Sequence, residues 1–179
     1  MTVAVLCAHQ RSVYFDLDGC DVYDAKRDAR TYTGLFPVVA HPPCRAWGKW
    51  AWRARPEPGE RELAMFCVDQ VQRCGGVLEH PAYSTLWAEK RLPLPGCPAQ
   101  DGSFTLPILQ SDFGHKAPKA TWLYINGIAP SELPPMPMRL GEATGRIEMM
   151  GRTARMATPV ELATWLRDLA EKTTLARAA

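Results

Sequence analysis

The segment His41-Pro42-Pro43-Cys44 places one thiol directly behind two prolines. Proline locks φ near about −65° and pushes the residue before it toward extended backbone, so Cys44 sits on a stiffened turn. A thiol held in this way is a candidate nucleophile, and its reactivity depends on how much of it is thiolate. Arg45 and Lys49 follow closely and are cations of the kind that lower a thiol's pKa. Trp47, Trp50 and Trp52 interleave with Arg45, Lys49, Arg53 and Arg55, and Arg61 lies a little beyond. Aromatic faces stack on bases and cations hold phosphates, so the same stretch reads as a nucleic-acid contact. The competing reading is that the tryptophans pack the core while the arginine stems lie over them. Farther along, Glu79-His80-Pro81 sets a titratable pair before another proline. On their own, Glu79 reads equally as a surface ion pair or helix cap, and His41, His80 and His115 as structural hydrogen-bonding groups.

These residues need elements to hold them. Val3 to Ala8 is a short apolar run with β-branched residues, as expected of a buried strand. Asp21 to Asp24 and Phe36 to Ala40 read as two more strands, the second ending on His41. Proline does not continue a central strand, so Cys44 falls at a strand's carboxyl end. Glu60 to Arg73 carries apolar residues at helical spacing, and Gly75-Gly76 stops it. Val77-Leu78 then leads a strand into Glu79. Ser84 is positioned to cap a short helix reaching Lys90. Phe104 to Leu109 and Ala120 to Ile125 read as strands, and Thr158-Pro159-Val160-Glu161 reads as the start of a helix running to about Glu171. Strands alternating with helices predict a mostly parallel α/β sheet, whose ligands bind outside the carboxyl ends of its strands. Asp24, Cys44 and Glu79 would share that edge.

Composition bounds the rest. The 179 residues suffice for one domain with a real core, with 46% apolar and 22% charged residues. A net charge of +2 does not announce a polyanion partner, so any nucleic-acid affinity must come from local clustering. No apolar run approaches the ~18 residues of a membrane span, and the apolar start reads as a strand rather than a secretory signal. The six cysteines form no C-x-x-C pair, so no zinc site is expected and the thiols are expected to be reduced in a cytoplasm.

Pro43-Cys44 at one strand end and Glu79-His80-Pro81 at the next resemble the DNA cytosine-5 methyltransferases, with their Pro-Cys nucleophile loop and later Glu-Asn-Val strand end. Asp112-Phe113-Gly114, followed by HKAPKATWLYI, is similar to their Tyr-Gly-x-Pro-Gln-x-Arg segment. Gly19 to Ala25 resembles their second strand. Taken together, HPPC, the glutamate-proline strand end and FGH-x-x-x-KAT-W-L look like a group of short phage and prophage proteins of this methyltransferase type. The chain departs from the pattern in three places. No glycine precedes Gly19, His80 replaces the asparagine, and Ala117 and Lys119 replace the later glutamine and arginine.

The resemblance implies a compact, Rossmann-like class I methyltransferase-type α/β sheet with flanking helices and no large target-recognition domain. Residues 1–179 would form one domain, with 41–59 closing over DNA, 126–157 as a Pro-rich flap and 158–172 as a C-terminal helix. It implies S-adenosylmethionine-dependent cytosine-5 methyl transfer without a metal. Cys44 would add to ring carbon 6. Glu79 would bind the base's Watson–Crick edge and support protonation at ring nitrogen 3, with Lys119 in place of an arginine. Asp24 would hold the cofactor ribose, with Cys7, His9 and Pro42 lining its site. Arg45, Trp47, Lys49, Trp50, Arg53 and Lys116 would contact DNA, whose target base must leave the stack. The implied setting is the cytoplasm of a phage-infected or lysogenic bacterium, with a helper protein for target recognition and no membrane.

Other readings compete with this one. The glycine-free turn after the first strand favours pyrimidine modification, or action on a nucleotide, without S-adenosylmethionine. A catalytically inactive DNA-binding derivative is a third. A Cys–His hydrolase pairing Cys44 with His80 or His115 is a fourth, without an oxyanion signature in the sequence.

Overall fold

Val3, Ala4, Val5 and Leu6 are wholly buried, as expected of a central parallel strand covered on both faces. They form β1 (Val3–Leu6). β2 (Cys20–Tyr23) and β3 (Val38–Ala40) flank it in parallel, and β4 (Gly76–Pro81) pairs in parallel with β3. The last two strands are β5 (Phe104–Leu109) and β6 (Ala120–Asn126). β6 runs antiparallel to both β4 and β5, so β5 points the same way as β4. The sheet order is β2-β1-β3-β4-β6-β5. The expected mostly parallel sheet is therefore a mixed one. The connection 110–119 is too short for a helical crossover, so the strand after it must return antiparallel. This computed structural model describes residues 2–137 and 143–173.

Alternate residues of the strands feed opposite faces. Ala4, Leu6, Val38, Ala40 and Leu78 pack under α1 (Glu60–Cys74), which buries Ala64, Cys67, Val68 and Val71. Val3, Val5, Val39 and Val77 pack under α4 (Val160–Lys172), which buries Leu162, Leu166 and Leu169. The short α2 (Leu86–Glu89) and α3 (Arg152–Met156) complete the helices.

Several boundaries differ from the sequence expectation. β1 stops at Leu6 because Cys7 turns into the left-handed region at φ 62°. α4 begins at Val160 with no side-chain cap, so Thr158 does not cap it, and the Ala163 N–H donates to the Pro159 carbonyl. Ser84 does accept from the Leu86 N–H, at 3.2 Å. Gly75-Gly76 ends α1 as expected. Gly76 sits at φ 122°, and a Cβ there would lie 2.0 Å from the Val38 carbonyl oxygen, so only glycine lets β4 start beside β3. The expected flap at 126–157 contains two 3-10 turns (Pro130–Glu132 and Ile147–Met149) and α3, and its residues 138–142 lie outside the described ones. Among the described residues no helix is long and apolar enough to cross a membrane.

Candidate active site

In this sheet β1 and β3 are neighbours, with β2 on one side and β4 on the other. The chain thus leaves their carboxyl ends in opposite directions, and the crevice between such ends is where α/β sheets bind ligands. Cys7 to His9 leaves β1 there and His41 to Cys44 leaves β3. The carboxyl ends of β4 and β5 and the start of β6 extend the same edge, since Pro81 pairs with Thr121 and Leu109 with Ala120. Cys44, Glu79 and Lys119 come from three separate segments and meet on it.

Glu79 lies at the centre, with its side chain only 11% exposed. The Gln110 amide donates to Oε1 at 2.8 Å and also to Thr121 Oγ1 at 3.1 Å. Lys119 Nζ stands 3.9 Å from Oε1. His41 Nδ1 is 3.1 Å from Oε2, and its Nε2 is 3.0 Å from the Tyr14 hydroxyl. Burial by itself would raise the Glu79 carboxyl, but Lys119, the His41 hydrogen bond and the fields of His41 and His80 outweigh it and bring it down to about 2. Glu79 is therefore ionised near neutral pH. An ionised Glu79 selects the Nδ1–H tautomer of His41, which leaves Nε2 to accept from the Tyr14 O–H. Burial, reinforced by Glu79, pushes the Tyr14 phenol well above its ordinary value, so that proton stays on Tyr14.

Cys44 is exposed, yet it stands over a protein-dense floor. That desolvation raises its thiol, the Glu79 charge raises it further, and Lys119 opposes both. Lys119 is thus the main cation that tempers Cys44, with the expected Arg45 also within its field. Arg45 is already engaged: its Nε donates to Glu60 Oε2 at 3.0 Å, its Nη2 bonds to Oε1 of the same carboxylate, and Glu57 lies 3.7 Å away. His80, one residue from Glu79, points to the opposite face beside Trp87. It is fully buried, and neither ring nitrogen has a hydrogen-bond partner among the described residues, although the Pro43 backbone lies close enough to favour its proton. Burial and Lys119 outweigh Glu79 and Pro43 and lower it to about 4, so it is neutral at pH 7.

The remaining expected residues divide. Cys7, in its left-handed conformation, lies 3.5 Å thiol to thiol from Cys67 of α1. Exposed His9 accepts from the Arg11 N–H at 3.1 Å, and Pro42 is buried behind the thiol. Asp24 follows β2, and its Oδ1 accepts from the Lys26 and Arg27 N–H groups at 2.9 and 3.0 Å, which leaves Oδ2 unpartnered among the described residues. Trp47 is 0% exposed and cannot offer a stacking face to DNA: it packs with α1 and α2, and its carbonyl accepts from the Thr85 N–H at 3.0 Å. Trp50 and Trp52 are exposed, with Lys49 Nζ 5.5 Å and the Arg53 guanidinium 5.2 Å from their ring centres. Lys116 is also exposed.

No protein-family profile, no curated protein and no solved structure matches this chain.

Tyr14, Gln110 and Thr121 belong to the site without having been singled out in the sequence. Tyr14 comes from a 3-10 turn (Val13–Asp16), and Gln110 opens another (Gln110–Phe113) at the end of the edge strand. Gln110 directly follows a strand read from the sequence, but nothing in its own pattern marked it. Among the described residues no group of three or more His, Cys, Asp and Glu side chains could hold a metal ion.

Proposed function

We propose that this protein is a DNA-modifying enzyme that transfers a methyl group to carbon 5 of cytosine, with Cys44 adding to ring carbon 6. The observation that carries the reading is the meeting of Cys44, Glu79 and Lys119 on one strand edge. The parallel half of the sheet, its crevice between β1 and β3 and its single reversed strand agree with a Rossmann-like methyltransferase-type fold.

The residues present can accommodate S-adenosylmethionine. Asp24 offers its unpartnered Oδ2 at the end of β2, where a ribose hydroxyl would bind, and Cys7 takes the left-handed turn that a glycine would otherwise supply. When bound, the cofactor supplies an electrophilic methyl group.

The chain's own residues do the rest. Exposed Cys44 gives up its proton to water and its sulfur bonds to ring carbon 6, which makes carbon 5 nucleophilic toward that methyl group. Glu79, ionised, accepts a hydrogen bond from the exocyclic amine of cytosine. With its carboxyl near 2 it has no proton to give ring nitrogen 3 at neutral pH, unlike the role the resemblance implies. Lys119 faces both Cys44 and Glu79, and its charge offsets the negative charge that enters the ring with the thiolate. Once carbon 5 carried the methyl group, loss of its proton to water would expel the thiolate and restore the ring. Tyr14 and His41 hold the Glu79 carboxylate from behind. Lys49, Trp50, Trp52 and Arg53 supply exposed cations and rings for the strand that carries the base.

DNA containing 5-fluorocytosine tests the reading. With S-adenosylmethionine present it is expected to leave a covalent adduct on Cys44, located by peptide mass spectrometry, and none in Cys44→Ser. An adduct-free protein that nonetheless binds the DNA would overturn it. A second reading, pyrimidine chemistry without this cofactor, draws on the commitment of Asp24 Oδ1 to its local turn. Calorimetric titration separates the two: micromolar S-adenosylmethionine binding that weakens in Asp24→Ala supports the first, and no binding up to about millimolar supports the second.

A further inference from the structure

A second cleft opens on the same strand edge, beyond β4 and against the β5–β6 pair. Its volume is about 300 Å³, at the lower end of the ~300–1,000 Å³ typical of ligand clefts. Tyr83 and Trp122 form one wall, with ring centres 5.0 Å apart, and Pro107 and Leu109 of β5 form another. Asp112 stands among the lining residues, and its carboxylate has no hydrogen-bond or ion-pair partner among the described residues. Tyr83 is 81% exposed and holds φ 62°. Such backbone strain in a non-glycine residue persists where the surroundings impose it, and it collects at ligand-binding positions. This exposed ring gains little by packing, yet the chain keeps it in a costly conformation at the mouth of the cleft.

The cleft adjoins the candidate active site. Ala120 and Thr121 line it, Thr121 accepts from the Gln110 amide that holds Glu79, and Lys119 immediately precedes Ala120. An exposed aromatic face selects a planar ring, and the 52° tilt between Tyr83 and Trp122 lets one stack on it while the other meets its edge. A free carboxylate repels phosphate and accepts from N–H donors, so it excludes backbone and favours a base edge that carries an amine. Exposed Lys116, in the connection between β5 and β6, is available for the neighbouring phosphate.

We propose that this cleft is a subsite for a second nucleobase, the neighbour of the base presented to Cys44, and that it prefers amine-bearing bases (adenine, cytosine, guanine) over thymine. Tyr83 stacks on that base, Trp122 meets its edge and Asp112 accepts from its exocyclic amine. The subsite rests on the proposed action on a base in DNA, and it gives this fold a means of reading one flanking position.

The test uses short oligonucleotides with one 5-fluorocytosine and a single varied neighbour, placed on either side in turn. Affinity is read by fluorescence anisotropy and the Cys44 adduct by mass spectrometry. The wild-type protein is expected to bind the amine-bearing neighbours about tenfold more tightly than thymine on one side of the target. Asp112→Asn, isosteric and at the rim, should bring that preference within about twofold. Tyr83→Ala should weaken all the oligonucleotides by about tenfold, within the range of one lost stacked base, and Tyr83→Phe should restore them. Because Tyr83 is exposed, its variants are expected to keep the wild-type melting temperature. A neighbour preference that survives Asp112→Asn, or wild-type affinity in Tyr83→Ala, overturns the subsite. The two proposals fail separately. Adduct formation without any neighbour preference removes the cleft and leaves the methyl-transfer reading, whereas an Asp112-dependent preference without an adduct does the reverse.

Discussion

Trp47 and Trp52 belong to one loop, yet Trp47 is wholly buried and Trp52 is 76% exposed. The segment from His41 to Trp47 is tied down at both ends. His41 is bonded to Glu79 and Tyr14, and the Trp47 carbonyl to Thr85. The segment from Lys49 to Arg53 makes one 3-10 turn (Ala51–Arg53) and shows its rings and cations to solvent. On the proposed reading the contrast separates two tasks. A reacting thiol must be held in register with Glu79 and Lys119, because small misplacements cost rate. A surface that receives a polymer gains from rings and charges that adjust to it.

The largest expected effect breaks the first half of the loop at its chemistry. Cys44→Ser should abolish adduct formation with 5-fluorocytosine DNA and change stability by no more than ~0.5 kcal/mol, since Cys44 is exposed. A large fall in the denaturation midpoint would mark Cys44 as a packing residue instead. Next comes the tryptophan pair. Trp47→Ala is expected to cost about 3–5 kcal/mol in urea unfolding, as for other buried tryptophans. Trp52→Ala should leave unfolding unchanged and weaken DNA binding by about 1–3 kcal/mol. Equal effects of the two substitutions on folding would erase the distinction.

Acid sensitivity sharpens the fixed region. Glu79 has its carboxyl lowered from 4.5 to about 2, so its contribution is complete above pH 4.5 and is lost as pH falls from 4.5 toward 2. His80 is lowered from 6.5 to about 4, so the unfolded chain takes up a proton there first, and stability falls between pH 6.5 and 4. Each is worth at most about 3 kcal/mol. Urea midpoints at pH 7, 5 and 3 should decline in both steps. His80→Gln should flatten the upper step and Glu79→Gln the lower, and a wild-type midpoint that stays level from pH 7 to 3 would contradict both. Alkylation of Cys44 by iodoacetamide should shift to higher pH in Lys119→Ala, which removes the opposing cation, and to lower pH in Glu79→Gln. The smallest effect belongs to the adaptable half. Lys49→Ala with Arg53→Ala should weaken DNA binding modestly and reduce the slope of log K against log salt by about 2.

Much of the scaffold could be read directly. Short runs rich in β-branched and apolar residues marked most of the strands, and helical spacing of apolar residues from Glu60 to Arg73 marked α1. Cys44 and Glu79 were legible because prolines and strand ends put them on one edge, whereas Lys119 came only from the resemblance. Tyr14 and Gln110 were not, because both come from 3-10 turns that have no lasting periodicity. The burial of Trp47 was also hidden. Its neighbours follow no regular pattern, and its partners in α1 and α2 are remote in sequence.

The sequence by itself determined the elements, the stiff thiol turn and the common edge, because proline geometry and hydrophobic periodicity act over a few residues. Tertiary structure alone decided which cation faces Cys44, that Arg45 is committed to Glu60, and which tryptophan turns inward. It also decided that β6 returns antiparallel, which sets Lys119, just before its start, beside Glu79. Charge and burial act through space, and residues far apart along the chain set the field and the solvent that each group feels.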